Sequence, residues 1–216
     1  MQSKTLTLHY NPLSTYSQKV LIALYERGIA FDSAIVQFSD SASWAAFREL
    51  NPLGKIPLLV DGQDQIPESS IIVEYLDAYA DGAPLIPSDP ALALRARLLD
   101  RLADGYVNNT FQTIFFDGRK PEAAREPVRV AAALKALQTV LGRFEQELTG
   151  GPWLLGETFS IADCALAPPL VYLQGMGLLK DLPKLEAYLG RVKERPSVAR
   201  VLEEAAPYVA ALMAAT

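Results

Sequence analysis

Apolar and polar residues alternate near the start of the chain, as they do in a strand with one buried face. Leu6, Leu8 and Tyr10 alternate with threonine and histidine, and this period of two predicts a first strand. An apolar stripe with helical spacing follows at residues 20–24 and stops at Gly28, a residue suited to the left-handed conformation past a helix end. The chain is therefore predicted to begin with a strand followed by a helix.

The next fifty residues repeat the change from strand to helix and then form a hairpin. A second strand is predicted at residues 31–36, and a short helix at residues 44–50 ends before Pro52, because proline disfavours helix in the residue preceding it. Asp61-Gly62 between two apolar segments is a hairpin signal, and another helix follows the hairpin. Residues 1–80 are thus predicted to follow the order β-α-β-α-β-β-α, with the first two strands parallel and the last two antiparallel.

The pattern changes at residues 81–90, where three prolines and one glycine among ten residues are typical of a linker. Asp89-Pro90 then supplies an N-cap acceptor followed by proline in the first turn of a helix. Beyond this point apolar residues recur every three or four positions, as in residues 94–102, which predicts packed helices. The sequence therefore predicts an α/β domain at residues 1–80, a linker and an all-helical domain at residues 91–216.

The composition is that of a folded globular protein and excludes several kinds of site. The chain has 216 residues, of which 50% are hydrophobic and 21% charged, with a formal net charge of −5; this argues against general disorder and against a nucleic-acid partner. With one cysteine, Cys164, and one histidine, His9, no intramolecular disulfide is expected and most transition-metal sites are excluded. No apolar run is long enough to span a bilayer, and the N-terminus lacks a signal-peptide core. We expect a cytoplasmic protein without a membrane partner.

The first 80 residues carry five basic against nine acidic residues, so an anion site there must use few cations or backbone dipoles. Ser14 lies where the first strand is predicted to meet the first helix, and the N–H groups of a helix start stabilise an anion such as a thiolate. The alternative is that this hydroxyl only caps the helix. Position alone does not separate the two, because capping and anion stabilisation use the same electrostatics.

Two further features of this domain point to a peptide-like ligand. Ile56-Pro57 is a candidate cis-proline, which would leave the backbone of Ile56 free to pair with an extended peptide. Lys55 beside it could bind a carboxylate, although a solvated surface lysine is the alternative. Ser69 is an N-cap candidate that could hold a carboxylate, and Glu68 could accept a hydrogen bond from an ammonium group. The implied ligand has both charges of an α-amino acid, an extended peptide and a thiol.

These features, taken with the second half of the chain, resemble the cytosolic glutathione transferases, in particular serine-type bacterial-like members. The motifs that carry the resemblance are Pro12-Leu13-Ser14 through Lys19-Val20, residues 51–57, Glu68-Ser69, Glu74-Tyr75-Leu76, Pro84-Leu85-Ile86-Pro87 and Ser160-Ile161-Ala162-Asp163. In this order and spacing they are strongly specific, and they cover essentially the whole chain. The resemblance implies a thioredoxin-like βαβαββα domain followed by an all-helical domain. It also implies a homodimer that acts in detoxification.

The resemblance further implies a glutathione transferase in which glutathione is a co-substrate and no metal or redox cofactor is needed. Ser14 matches the hydroxyl that hydrogen-bonds the glutathione sulfur, with Ser17 and Tyr16 as second choices. The resulting thiolate would attack a small hydrophobic electrophile.

Four residues match the positions that hold the rest of glutathione in the family. Ile56 matches the residue whose backbone pairs with the cysteinyl part, and Lys55 matches a position that often contacts the ligand. Glu68 and Ser69 match the pair that binds the γ-glutamyl end.

Several residues of the second domain match positions with other roles. Ser160-x-x-Asp163 is a capping box that is expected to serve folding, and Cys164 is expected to be a buried apolar residue. In the family the second substrate lies near the first long helix of this domain. Residues of that region are Tyr106, Asn109, Phe111 and Phe115; an aromatic stripe at helical spacing is more often core, so none is assigned to catalysis.

Two alternatives remain. A glutathione-dependent isomerase of the maleylacetoacetate type is disfavoured, because that class carries Ser-Ser-Cys where this chain has Ser14-Thr15-Tyr16. A non-catalytic binding protein with the same fold, such as those attached to the transcription machinery, is disfavoured by the retention of Lys55, Glu68 and Ser69.

Overall fold

The computed structural model describes residues 6–214, and the first part of the chain is built around a four-stranded sheet. The strands are β1 Leu6–Tyr10, β2 Phe31–Ile35, β3 Leu58–Asp61 and β4 Asp64–Pro67, and the helices between and after them are α1 Thr15–Glu26, α2 Ser41–Leu50 and α3 Ser69–Leu76. This is the βαβαββα order predicted from the sequence, and the thioredoxin-like fold is confirmed.

The sheet has the strand order β2-β1-β3-β4. β1 pairs in parallel with β2 and antiparallel with β3, and β3 pairs antiparallel with β4. One face buries Leu6, Leu8 and Tyr10 beneath α1 and α3, while Leu58 on the other face packs against Phe47 of α2. Because β1 is a central strand, the segment that joins it to α1 lies near the middle of the sheet, at the end where β1 finishes.

The second part of the chain is helical, as predicted. Its helices are α4 Pro90–Leu102, α5 Asn109–Gly118, α6 Pro127–Glu147, α7 Ile161–Gly175, α8 Pro183–Glu194 and α9 Pro196–Ala214. Asp89 caps α4 by accepting a hydrogen bond from the backbone N–H of Leu92 at 2.9 Å. The domain division at residues 1–80, 81–90 and 91–216 stays a prediction. Among the helices of residues 6–214, none combines the length and the hydrophobicity that crossing a bilayer requires.

α7 is the central helix of this part, and its first turn is fixed by the predicted capping box. The carboxylate of Asp163 is fully buried and accepts hydrogen bonds from the N–H of Ser160 at 2.9 Å and of Leu154 at 3.0 Å, and from the hydroxyl of Tyr188 at 3.0 Å. Burial raises the pKa of Asp163 to about 6. Cys164 beside it is completely buried, as expected, and burial raises the pKa of its thiol.

α1 belongs to the first part of the chain, which contains the sheet, but it also packs against α7 and α9 of the helical part. Lys19 of α1 is 1% exposed, and its ammonium lies 2.7 Å from the carboxylate of Asp104 and 2.9 Å from the hydroxyl of Ser70. It also forms an ion pair with Asp100. This buried charge cluster joins α1 and α3 to the helical part.

Asp104 lies in a π-helical segment, Ala103–Asn108, which joins α4 to α5. The same segment places Asn108 against α1, where its side-chain oxygen accepts a hydrogen bond from Thr15 at 2.8 Å. Single turns of π-helix often occur where side chains must be aimed at a site. Here the wider turn directs two polar side chains towards the start of α1.

The proline-rich segment at residues 81–90 is held by polar contacts on both sides. The guanidinium of Arg27, just after α1, donates to the carbonyls of Ala80 and Ala83 and pairs with Asp77. The carboxylate of Asp77 in turn accepts a hydrogen bond from the N–H of Leu85 at 3.0 Å. The connection between the two parts is therefore clamped against the end of α1.

Candidate functional site

Two adjoining cavities lie along the edge of the sheet where β1 ends and the helical part begins. The first has a volume of about 390 Å³ and walls that include four charged side chains, and we call it the polar cavity. The second has a volume of about 510 Å³ and walls that include six aromatic side chains, and we call it the aromatic cavity. The residues that line both are Tyr16, Lys55, Ile56 and Gln112. The two cavities therefore form one continuous cleft.

The polar cavity contains all four residues that the sequence assigned to glutathione binding: Lys55, Ile56, Glu68 and Ser69. The Ile56-Pro57 peptide bond is cis, as considered from the sequence. The loop before it is held by the side chain of Asn51, which donates to the carbonyl of Lys55 at 2.8 Å. Lys55 is exposed and takes part in no ion pair among residues 6–214, so its ammonium is available to a ligand.

Glu68 has an unusual backbone conformation at the start of α3. Its φ of 69° makes it the one residue other than glycine with positive φ in the described part of the chain. Such conformations cost about 1–3 kcal/mol and concentrate at functional sites. The N–H of Ile72 donates to the carbonyl of Glu68 at 2.9 Å, so Glu68 occupies the N-cap. The expectation that Ser69 would be the N-cap is wrong, because the sharp bend at Glu68 makes Ser69 the first helical residue.

Ser14 lies at the N-cap of α1 and lines the aromatic cavity. Its oxygen accepts a hydrogen bond from the N–H of Ser17 at 3.3 Å, which leaves the hydroxyl proton of Ser14 for another acceptor. The structure thus confirms the capping role and brings the same hydroxyl to the wall of the cleft. Capping and anion binding are compatible in this geometry.

The two other hydroxyls considered for the sulfur contact are less suitably placed. Ser17 is buried, its oxygen accepts from the N–H of Asn11 at 3.4 Å, and it lines neither cavity. Tyr16 lines both cavities, but its hydroxyl lies 3.0 Å from the side-chain oxygen of Asn109 and 3.2 Å from the carbonyl of Asp104. Burial, and next the charge of Asp104, raise the pKa of Tyr16 to about 12, so this side chain stays a neutral donor.

The aromatic cavity is walled by rings from α5 and α7. Phe111 stacks on Tyr172 with ring centroids 5.3 Å apart and lies equally close to Phe115. Burial raises the pKa of Tyr172, whose hydroxyl donates to the carbonyl of Leu13 at 3.0 Å and so holds the segment that carries Ser14. Phe111 and Phe115 are therefore both packed and exposed to the cavity. Tyr106 lines neither cavity.

Several residues of the cleft were not singled out from the sequence. Arg101 and Asp104 line the polar cavity, and Arg119 lines the aromatic cavity. Lys19 lies behind them, directly before the apolar stripe of α1; the sequence does not say which acidic residues it contacts. In residues 6–214, no cluster of three or more histidine, cysteine or acidic side chains is arranged to hold a metal ion.

Comparisons with known proteins extend over most of the chain. The family profile "Glutathione S-transferase, N-terminal domain" matches residues 8–84, and "Glutathione S-transferase, C-terminal domain" matches residues 127–191. The chain is 30% identical to glutathione S-transferase A of Pleuronectes platessa over 91% of this chain and 90% of that protein. It is also 30% identical to a stringent starvation protein A homolog of Pasteurella multocida, over 94% and 92% of the two chains.

Among solved structures, a glutathione S-transferase from Methylobacillus flagellatus with glutathione bound matches with a TM-score of 0.84 and 30% identity, over 91% of this chain and 98% of that one. The profiles, the relatives and the fold agree with the resemblance noted in the sequence and with the expectation of a glutathione transferase. The chain belongs to the cytosolic glutathione S-transferase family.

Proposed function

We propose that this protein conjugates glutathione to small hydrophobic electrophiles, with Ser14 stabilising the glutathione thiolate. One observation carries the proposal: the cleft joins a polar cavity, which contains Lys55, Ile56, Glu68 and Ser69, to an aromatic cavity that contains Ser14. A peptide bound in the first cavity can extend its thiol to the boundary of the second. An apolar substrate in the second cavity is then next to the sulfur.

In this arrangement the γ-glutamyl end of glutathione lies against Glu68 and Ser69. The carboxylate of Glu68 accepts from the ammonium group, and Ser69 with the first-turn N–H groups of α3 binds the α-carboxylate. The cysteinyl backbone pairs with Ile56, and Lys55 binds the second carboxylate. A solved relative with glutathione bound, 30% identical to this chain, supports glutathione as the ligand.

The reaction needs a thiolate, because the free thiol has a pKa near 8.5 and is a poor nucleophile when protonated. The thiol proton leaves to solvent, and the thiolate is stabilised by the Ser14 hydroxyl and the N-terminus of α1. With an aryl halide, the sulfur forms a bond to the ring carbon and the carbon–halogen bond breaks, so that halide leaves with the electron pair. The atoms and charges balance without a metal or a redox step.

Glutathione binding and turnover together test the proposal against its alternatives. We expect calorimetric titration to detect glutathione binding and an aryl halide assay to detect conjugation. A non-catalytic role is suggested by the likeness to several stringent starvation protein A homologs, and failure to bind glutathione would favour it. Isomerisation of a maleyl substrate without aryl halide turnover would favour the isomerase alternative.

Replacement of Ser69 by alanine should weaken glutathione binding about tenfold, because a hydrogen bond to a charged group is lost. Ser69 is buried at the wall of the polar cavity, and the neighbouring hydroxyl of Ser70 is already bound to Lys19 and Asp100, so we expect it not to take the place of Ser69. The dissociation constant from calorimetry measures the effect.

Ser88→Ala is the matched control for this substitution. Ser88 is exposed in the segment that connects the two parts and lines neither cavity, so its loss should leave the dissociation constant within about twofold. Equal affinities of Ser69→Ala and the unaltered protein would contradict the assignment of Ser69.

We also propose a cytoplasmic homodimer that acts in detoxification; the cytoplasm is the compartment in which glutathione keeps thiols reduced. Symmetric dimers are the commonest soluble oligomers. An exposed apolar strip supports this one, since Ile71 of α3 and Leu94 and Leu98 of α4 are 54%, 70% and 50% exposed. Such a strip is more stable when covered by a second copy.

The combined variant Leu94→Glu and Leu98→Glu should therefore be a monomer at concentrations where the unaltered protein is a dimer. The two new carboxylates of each protomer would lose their solvation on burial at a symmetric interface, and that loss is costly. Sedimentation equilibrium measures the change. Val128→Glu is the control, because Val128 is 85% exposed on α6; if it dissociates the dimer equally, the interface lies elsewhere.

A further inference from the structure

The charged residues that line the aromatic cavity are basic, whereas the whole protein has a negative net charge. The chain carries a formal net charge of −5, yet the charged residues among the described lining of this cavity are Lys55 and Arg119, with no acidic residue. The polar cavity, in contrast, has Lys55 and Arg101 balanced by Glu68 and Asp104. The part of the cleft assigned to the electrophile is therefore a cationic site in an acidic protein.

Of the two cations that line the aromatic cavity, Arg119 is the one that the proposed glutathione complex does not use, since Lys55 is assigned to a carboxylate of glutathione. Its guanidinium lies 4.3 Å from the centre of the Phe115 ring, and it forms no ion pair with any residue between 6 and 214. The neighbouring carboxylate, Asp117, is occupied by the N–H of Glu126 at 3.0 Å and the ammonium of Lys120 at 3.1 Å.

The geometry of this contact favours a planar anion as the partner of Arg119. When a guanidinium lies over an aromatic ring, the ring contacts the face of the guanidinium. The N–H groups along the edge of the guanidinium stay available to donate hydrogen bonds. Those groups match a carboxylate in a bidentate manner. Phe111 and Phe115 provide apolar surface beside it, so one ligand with a ring and an acidic group can satisfy both features.

Resting on the proposed conjugation, we propose that the preferred electrophile of this protein is an aromatic compound that carries a carboxylate. The ring packs against Phe111 and Phe115, and the anionic group binds Arg119 at the side of the cavity. The electrophilic carbon faces the boundary with the polar cavity, where the thiolate forms the new carbon–sulfur bond and halide leaves.

A matched pair of electrophiles tests this inference: 4-chloro-3,5-dinitrobenzoate and its methyl ester. Both lose chloride to the same nucleophile, and comparing each variant with the unaltered protein removes their difference in intrinsic reactivity. In Arg119→Gln, we expect kcat/KM for the carboxylate to fall about tenfold more than kcat/KM for the ester, since only the carboxylate loses a charge-assisted contact. Arg129→Gln on α6 is the control, because Arg129 is exposed and lines neither cavity of the cleft.

Two additional measurements separate charge from packing. The preference for the carboxylate should shrink as the salt concentration rises, because screening weakens interactions at partly exposed charges. Arg119→Lys, which keeps the charge but not the planar fork, should retain part of the preference. Equal losses for both electrophiles in Arg119→Gln, or no loss for either, would overturn the proposal, since Arg119 would then only pack on Phe115.

Binding of the two glutathione conjugates, measured by calorimetry, decides the question without turnover. Weaker binding of the carboxylate conjugate by Arg119→Gln, with a smaller change for the ester conjugate, supports the anion site. Equal changes for both conjugates refute it. If the unaltered protein turns over neither electrophile, the conjugation function fails, and the two conjugates still report on Arg119 separately.

Discussion

Replacement of Ser14 by alanine is expected to lower kcat/KM for conjugation of an aryl halide about 100-fold, the usual effect of removing one preorganised donor to a developing or bound anion. The hydroxyl of Ser14 accepts from the N–H of Ser17 at 3.3 Å, and in the proposed complex it donates its own proton to the thiolate. Without it, the N-terminus of α1 alone stabilises the sulfur. Steady-state assays corrected for the uncatalysed reaction measure the loss.

The pH dependence of the same variant distinguishes thiolate stabilisation from a simple loss of fold. A hydrogen bond to the charged form lowers the pKa of bound glutathione, so its removal should move the rise of kcat/KM to higher pH. Tyr16→Phe is the matched control, since Tyr16 lines the same cavity while its hydroxyl contacts Asn109. Unchanged turnover in Ser14→Ala together with a large loss in Tyr16→Phe would assign the sulfur contact to Tyr16.

Lys19→Met should lower the free energy of unfolding by about 3–5 kcal/mol, the cost of removing one partner from a buried ion pair. Lys19 is 1% exposed, and its loss would leave Asp100 and Asp104 facing each other without a cation. Burial already raises the pKa of Asp104, and the Lys19 ammonium opposes that rise. Urea denaturation followed by circular dichroism gives the free energy.

Two comparisons show whether the charge or the packing of Lys19 matters. Arg97→Met removes an ion pair with Glu74 whose side chains are 48% and 35% exposed, and its effect should stay within about 1 kcal/mol. Adding Asp100→Asn and Asp104→Asn to Lys19→Met should recover much of the lost stability, because no uncompensated charge remains. A loss below that of Arg97→Met would refute the importance of the buried cluster.

Local signals in the sequence were sufficient for most elements of the fold. The alternation of Leu6, Leu8 and Tyr10 predicted the central strand, and Asp61-Gly62 predicted the hairpin turn between β3 and β4. Asp89 and the Ser160–Asp163 box predicted the starts of α4 and α7. Each of these depends on residues a few positions apart, which is the range over which backbone conformation and capping act.

The features that escaped prediction depend on contacts between distant parts of the chain. The acidic partners of Lys19 lie more than eighty residues away on the π-helical segment and on α4, and no periodicity reveals such a pairing. The positive φ of Glu68 arises because the chain must bend sharply between β4 and α3. The place of Arg119 in the aromatic cavity follows from contacts of α5 with distant helices, such as the Asn109–Tyr16 contact with α1 and the Phe111–Tyr172 contact with α7. The assignments of Ser14, Lys55, Ile56, Glu68 and Ser69 to glutathione stay predictions.

The clamped connection between the two parts limits how the cleft can open. A proline-rich segment suggests a hinge, but Arg27 and Asp77 bind its carbonyl and N–H groups, and the buried charge cluster of Lys19 ties the same two parts together behind the cleft. Rotation of one part against the other would break both sets of contacts. Phe38 and Phe116 are exposed and line the aromatic cavity, so we expect substrate entry and product release to depend on rotation of such side chains rather than on separation of the two parts.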